Sequence, residues 1–400
     1  MLSSYARNAI VLGLLAAVGP FAIDMYVPAL PTITADLQTT TAATQMTLLA
    51  FFLGFGLSQL AYGPVSDMVG RKPPLYFGLG LFVVGAMGGA LSPSIEWLIA
   101  FRVIQGIGGA SVMVVPRAVI RDLHTGIEAT RLMSLVMLIL SVSPILAPLA
   151  GSALIVPFGW RSVFVVAAIA ALAGLVLTMF VLPETWPRER RVRSELRSVV
   201  VGYGSLLRHP RFMGLTFIGG LGMASFFAFL ASSSFIYIDH FGLTPVQYSF
   251  AFSANAIGFI GASQFSARLG QRFGMARVVS TAVAVFAAFA VLLFLLTAMG
   301  VDSLAVLIVL LICANAALGL VIPATMVLSL EEHGPIAGMA SALGGTLQMV
   351  AGGVVIGLVS LSFDGTALPM VTAIALCAVG ALLLSRLTLR GRQALPQPAE

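Results

Sequence analysis

Apolar runs of about twenty residues follow one another along the whole chain, and that repetition decides most of what it can become. They fall near 7–28, 43–65, 75–92, 95–117, 131–155 and 161–182, then near 212–238, 246–268, 277–298, 303–328, 336–360 and 367–388. A helix needs roughly 20 mostly apolar residues to cross a bilayer, where backbone polar groups must be satisfied within the segment. With 59% hydrophobic and 9% charged residues among 400, the chain lies far from the roughly 45–50% apolar and roughly 25% charged composition of soluble proteins. Mean hydropathy is +1.04, and no stretch is polar enough to form a separate soluble domain. The expected fold is all-α and integral to the membrane, with twelve transmembrane helices.

Charges sort by connection. One side holds Arg7, Arg71, Lys72, Arg117, Arg121, Arg131, the stretch from Arg188 to Arg211, Arg268, Arg272, Arg277, Arg386, Arg390 and Arg392. The other holds Asp36, Glu96, Asp239, Asp302 and Asp364, with Arg161 as its only base. This is the positive-inside pattern, and it puts both termini in the cytoplasm. The turn with Glu331, Glu332 and His333 breaks it. A net charge of +6 and a pI of 9.8 therefore report membrane orientation, not nucleic-acid binding. Arg7 before an apolar run superficially resembles a signal peptide, but without a small-residue cleavage site it reads as an uncleaved first span. Cys313 and Cys377 lie far apart inside apolar runs, so neither a disulfide framework nor a metal site is expected.

The longest polar stretch, 183–211, is expected to be a cytoplasmic basic linker between an N-terminal six-helix half (1–182) and a C-terminal one (212–400) with a short cytoplasmic tail. An amphipathic helix near anionic lipid would suit it. A weak repeat supports the two halves: Asp67–Gly70–Arg71 recurs as Gln271–Gly274–Met275. Glycines at both ends of Gly63–Lys72 suit a short polar turn, and Asp67 could cap the turn that follows.

Four motifs carry a resemblance. Gly63-x-x-x-Asp67-x-x-Gly70-Arg71-Lys72 resembles the loop signature of the major facilitator superfamily, and Arg102-x-x-Gln105-Gly106-x-Gly108-Gly109-Ala110 its helix-four motif. Pro144-x-x-Ala147-Pro148-x-x-Gly151 is similar to the antiporter motif, departing from it at Ser141 and Ser143. Asp24-Met25-Tyr26-x-Pro28-Ala29-Leu30-Pro31 and Gly159-Trp160-Arg161-x-x-Phe164 resemble the bicyclomycin/chloramphenicol-resistance group of drug:proton antiporters. The resemblance implies two pseudo-symmetric six-helix halves and alternating access. It also implies export of small hydrophobic drugs from a bacterial inner membrane by a functional monomer, driven by the proton gradient without a cofactor.

Asp24 is the only carboxylate clearly inside an apolar span. Such a group is a functional candidate by default, and desolvation disfavours its ionised form, which suits a proton carrier. The alternative is a wet site at the periplasmic rim. Arg102, roughly 10 Å into span four, and Asp24, roughly 6 Å from the end of span one, share a depth at about 1.5 Å per residue. An Arg102–Asp24 pair is therefore expected to couple proton and substrate; the alternative for Arg102 is a structural bond to backbone carbonyls. Asp24, Tyr26, Arg102, Gln105, Phe226, Phe229, Tyr237 and Asn255 are the candidate substrate-binding residues, with Phe227 another possible aromatic wall. The resemblance makes Gly63, Asp67, Gly70, Arg71, Arg121 and Asp122 a gate, with Arg121 and Asp122 just past span four; the alternative is topology alone. It likewise makes Pro144, Pro148 and Gly151 a kinked packing motif.

Gln45, Gln59, Gln264, Asn315 and Gln348 read as interhelical hydrogen-bonding residues. The chain has no P-loop, and no His-Glu-x-x-His or Gly-x-Ser-x-Gly site, so an enzyme is not expected. Two other readings remain at this point: a transporter of a metabolite such as a sugar or amino acid, and a channel or sensory membrane protein.

Overall fold

The computed structural model describes residues 4–124, 126–191, 196–331, 333 and 336–389. Arg193, Glu332 and the tail from 390 lie outside the described residues. Among the described residues there is no strand. The first half comprises α1 (Ser4–Asp24), α2 (Leu30–Asp36), α3 (Thr41–Val69), α4 (Lys72–Ala90), α5 (Ile95–Leu123), α6 (Gly126–Phe158) and α7 (Arg161–Phe180). After α8 (Leu196–Leu207) come α9 (Pro210–Ser234), α10 (Pro245–Ser263), α11 (Ser266–Phe273), α12 (Met275–Ala298), α13 (Leu304–Glu331), α14 (Ala337–Ser362) and α15 (Leu368–Leu389).

Among the described residues, 11 segments are long and apolar enough to cross a membrane. The twelfth expected span, α10, is 19 residues long and holds Ser249, Ser253 and Asn255. These dilute its apolar signal because they point at other helices instead of lipid. The first span is longer than expected: α1 stops at Asp24, and the chain passes through a single 3-10 turn, Val27–Ala29, into α2.

The expected polar turn at Gly63–Lys72 is mostly helix. α3 runs through Pro64 to Val69, so Gly63 and Asp67 are helical and only Gly70 and Arg71 join α3 to α4. Proline at 64 has no N–H for the Leu60 carbonyl; the Tyr203 hydroxyl of α8 donates to that oxygen at 3.3 Å instead. Gly70 has φ 103°, and Gly274, between α11 and α12, has φ 84°. Both occupy a left-handed region that favours glycine, so the repeat is preserved in backbone shape after its charges have gone. Arg121 and Asp122 lie in the last turn of α5, not past it.

Two seams join the halves, α3 against α14 and α6 against α10. The largest apolar cluster crosses them, combining Phe51, Phe52 and Phe55 with Phe227, Phe229 and Phe252. The bundle has a basic end, with Arg71 and the α8 segment, and an opposite acidic end, with Asp36, Asp302 and Asp364.

Candidate functional site

Asp24 closes α1 and is 6% exposed. The Ser143 hydroxyl of α6 donates to its Oδ2 at 3.3 Å. Across the seam stands Tyr248 of α10, within electrostatic reach of Asp24. The Tyr248 hydroxyl shares a hydrogen bond of 3.0 Å with Ser233 of α9. The carboxyl therefore sits where the halves meet, which the sequence alone did not predict.

That meeting is polar along α6 and α10. Among the described residues, four hydrogen bonds join the two helices: Ser152 with Ser249 at 2.7 Å, Ser152 to the Pro245 carbonyl at 2.8 Å, Ser249 to that of Pro148 at 2.8 Å, and Ser253 to that of Ile145 at 2.7 Å. All lie toward the acidic end. Pro144 and Pro148 sit inside an uninterrupted α6. Gly151 faces the Met25 backbone so closely that a Cβ there would collide with its carbonyl; this brings α6 onto the end of α1, beside Asp24.

Arg102 is fully buried. Its guanidinium lies between the rings of Tyr26 and Phe51, at 4.4 and 4.3 Å from their centroids, with Phe164 at 6.0 Å. Its Nη1 donates to Gln105 Oε1 at 2.7 Å, while Nε and Nη2 find no partner among the described residues. The expected Arg102–Asp24 pair is not formed. The turn after α1 puts Tyr26, not Asp24, over the guanidinium, and Asp24 faces α6. Nor does Arg102 bond a backbone carbonyl among the described residues: aromatic faces and one amide hold it.

The aromatic candidates form a packed layer. Phe52 stacks on Phe227 across the halves at 4.1 Å, and Phe229 packs on Phe252 at 5.5 Å and on Tyr237 at 6.4 Å. Phe226, half-buried, lies 6.2 Å from Phe229. Tyr26 shares a 2.6 Å hydrogen bond with Thr47. Asn255 accepts from Asn315 at 3.1 Å, so its amide ties α10 to α13.

A second charged assembly occupies the basic end. Arg71 donates to Asp122 through Nε at 2.7 Å and Nη2 at 3.2 Å, and to Asp67 at 2.5 Å and Ser66 at 2.8 Å through Nη1. Burial works against its charge, but the carboxylates of Asp122 and Asp67 outweigh it and hold the guanidinium above its ordinary pKa. Asp67 does not cap the following helix. Glu184 does, accepting from the backbone N–H of Arg71 at 2.9 Å and of Lys72 at 3.2 Å. Thr185 donates to Asp122 at 3.0 Å, and Trp186 donates to the Asp67 carbonyl at 3.0 Å while its ring lies 4.7 Å from the Arg71 guanidinium. Arg121 is exposed and joins none of these bonds. The assembly closes within the first half and the strand of chain leaving it. Glu184, Thr185 and Trp186 are absent from the sequence-based site; the only sign of them was an acid and a tryptophan opening an otherwise basic stretch.

Residues 12–357 match the Major Facilitator Superfamily. The chain is 36% identical to the MFS-type transporter YdgK of Bacillus subtilis over 90% of each protein. It is 28% identical to a bicyclomycin resistance protein homolog of Haemophilus influenzae over 93% of each. Among solved structures, a D-xylose-proton symporter superposes with a TM-score of 0.76 at 17% identity, covering 96% of this chain and 97% of that one; at that identity the likeness concerns the fold.

Proposed function

We propose that this chain, which belongs to the major facilitator superfamily, exports small apolar drugs in exchange for protons. Membership makes it a membrane transporter and not an enzyme. The finer reading rests above all on one observation: Asp24, the only buried acidic residue among the described residues, lies at the seam between the halves, with a donor from its own half and a tyrosine from the other. A group so placed changes the balance between two arrangements of the halves when it gains or loses a proton. The drug-resistance name of the Haemophilus influenzae relative supports the class of cargo. So does the aromatic layer, which offers few polar anchors of the kind a sugar or amino acid needs.

In this reading the basic end faces the cytoplasm, both termini lie there, residues 183–211 link the halves, and a monomer suffices. Export starts with the acidic end sealed, as here. Opening it parts α6 from α10, exposes Asp24 to the proton-rich side, and lets the protonated form carry its proton back. Arg102 holds Tyr26 and Phe51 in register with that movement, and the Arg71 assembly braces the α3–α4 joint.

The test is proton release from inverted vesicles containing the purified protein, on addition of several chemically different drugs. Release is expected with the native chain and abolished in Asp24→Asn with counterflow of drug retained. Undiminished proton coupling in that variant refutes the assignment of Asp24; no response of the native chain to any drug refutes the drug-export reading.

A further inference from the structure

A groove of about 520 Å³ lies between the start of α9 and the end of α15, lined by Pro210, Arg211, Met213, Phe217, Leu384 and Leu387 among others. It is within the roughly 300–1,000 Å³ range of small-molecule sites. At its floor the helices touch, since a Cβ on Gly214 would collide with the Thr388 side chain. Leu387 is 80% exposed and Leu383 59%, so the groove opens sideways toward hydrocarbon. No acid lines it. Its mouth is at the basic end: Arg211 lines it, exposed Arg208 precedes Pro210 by two residues, and exposed Arg386 lies in the last turn of α15.

We propose that this groove binds an anionic phospholipid from the leaflet at the basic end. The acyl chain lies along Met213, Phe217, Leu384 and Leu387, and the phosphate meets Arg211 and Arg208, with Arg386 adding to the positive field at that end. The apolar trough alone would take any lipid; the charge complementarity at one end selects the anionic one. Guanidinium groups suit this role because they match phosphate oxygens in pairs. The site is remote from Asp24 and independent of what the chain transports.

Native mass spectrometry of the purified full-length protein in detergent tests this, with phosphatidylglycerol and phosphatidylcholine as competing probes. The native chain is expected to retain phosphatidylglycerol preferentially, and Arg211→Ala and Arg386→Ala to lose about fivefold in that preference each. Leu387→Trp, which fills the trough and leaves the charges, is expected to lower retention of both lipids. Circular dichroism and the melting midpoint in phosphatidylcholine identify any variant that misfolds, and Leu387→Trp and Arg386→Ala, both at exposed positions, keep the test intact if Arg211→Ala does. Equal retention of the two lipids by the native chain overturns the proposal, as does full retention by Leu387→Trp, which would reduce the effect to surface charge.

Discussion

The α6–α10 seam yields a prediction whose size follows from its hydroxyl protons. Ser152 and Ser249 share two protons among each other and the Pro245 and Pro148 carbonyls; Ser253 has one, given to Ile145. Ser249→Ala with Ser253→Ala therefore removes up to two cross-half hydrogen bonds at any moment. The carbonyls lose little, because each remains inside a helical ladder. Hydrogen bonds between membrane helices average about 0.6 kcal/mol, so the closed acidic end should lose about 1.2 kcal/mol, about an eightfold shift toward the open arrangement. Adding Ser152→Ala removes the third proton and raises the shift to about twentyfold. Spin labels on exposed Ala35 and Val301, with Cys313 and Cys377 replaced, report the separation of the halves by pulsed electron–electron resonance. The long-distance population should grow in the double variant and again in the triple. Distributions that match the native chain to within twofold in both would refute the claim that these hydroxyls hold the seam shut.

Other consequences are as direct. Arg71→Lys keeps the charge but loses the paired bond to Asp122 and the stacking on Trp186; the thermal midpoint should fall by the equivalent of about 1.5–3 kcal/mol, and a change within 0.5 kcal/mol, about the size of an ordinary surface substitution, would show that the assembly is not structural. Glu184→Gln weakens the side-chain cap on α4 and should cost about 1 kcal/mol in the same melt. Gly106→Ala drives a Cβ into the Phe51 backbone, which cannot rotate away. It should cost about 1–3 kcal/mol and, by moving the ring that faces Arg102, reduce transport; wild-type stability and rate together would contradict the packing.

The spans were legible because a bilayer leaves the backbone so few choices. Even α10, whose serines and asparagine dilute its hydropathy, stood out as an apolar run near 246–268. Asp24 stood out as a lone acid among apolar residues, and Gly70 and Gly274 as the shared turn of two halves. What the one-dimensional reading lacked was direction around the helix. Counting residues put Asp24 and Arg102 at one depth but could not say that Tyr26 would come between them. Ser249 and Ser253, spaced by one helical turn, are absent from the sequence-based candidates; their role exists only because α6 lies against them. Glu184 reaches the start of α4 only after α7 has brought the chain back to the basic end, a closure over 112 residues that no local pattern records.

The closed acidic end combines two opposing materials. Stacked rings such as Phe52 and Phe227 favour contact wherever they are driven together. Yet Gln45 Oε1, Ser234 Oγ and Tyr237 Oη are buried there with no partner among the described residues. Each such group left unsatisfied costs about 1–3 kcal/mol, an upper bound wherever enclosed water reaches it. Since no described residue supplies a partner, opening this end to bulk water is what satisfies them fully. An all-apolar seam would stay shut, and a fully bonded one would resist opening as firmly. A seam whose aromatic attraction is offset by unmet polar groups leaves the two arrangements close in free energy. In the mechanism proposed above, a single proton on Asp24, at the line where the halves part, then decides between them.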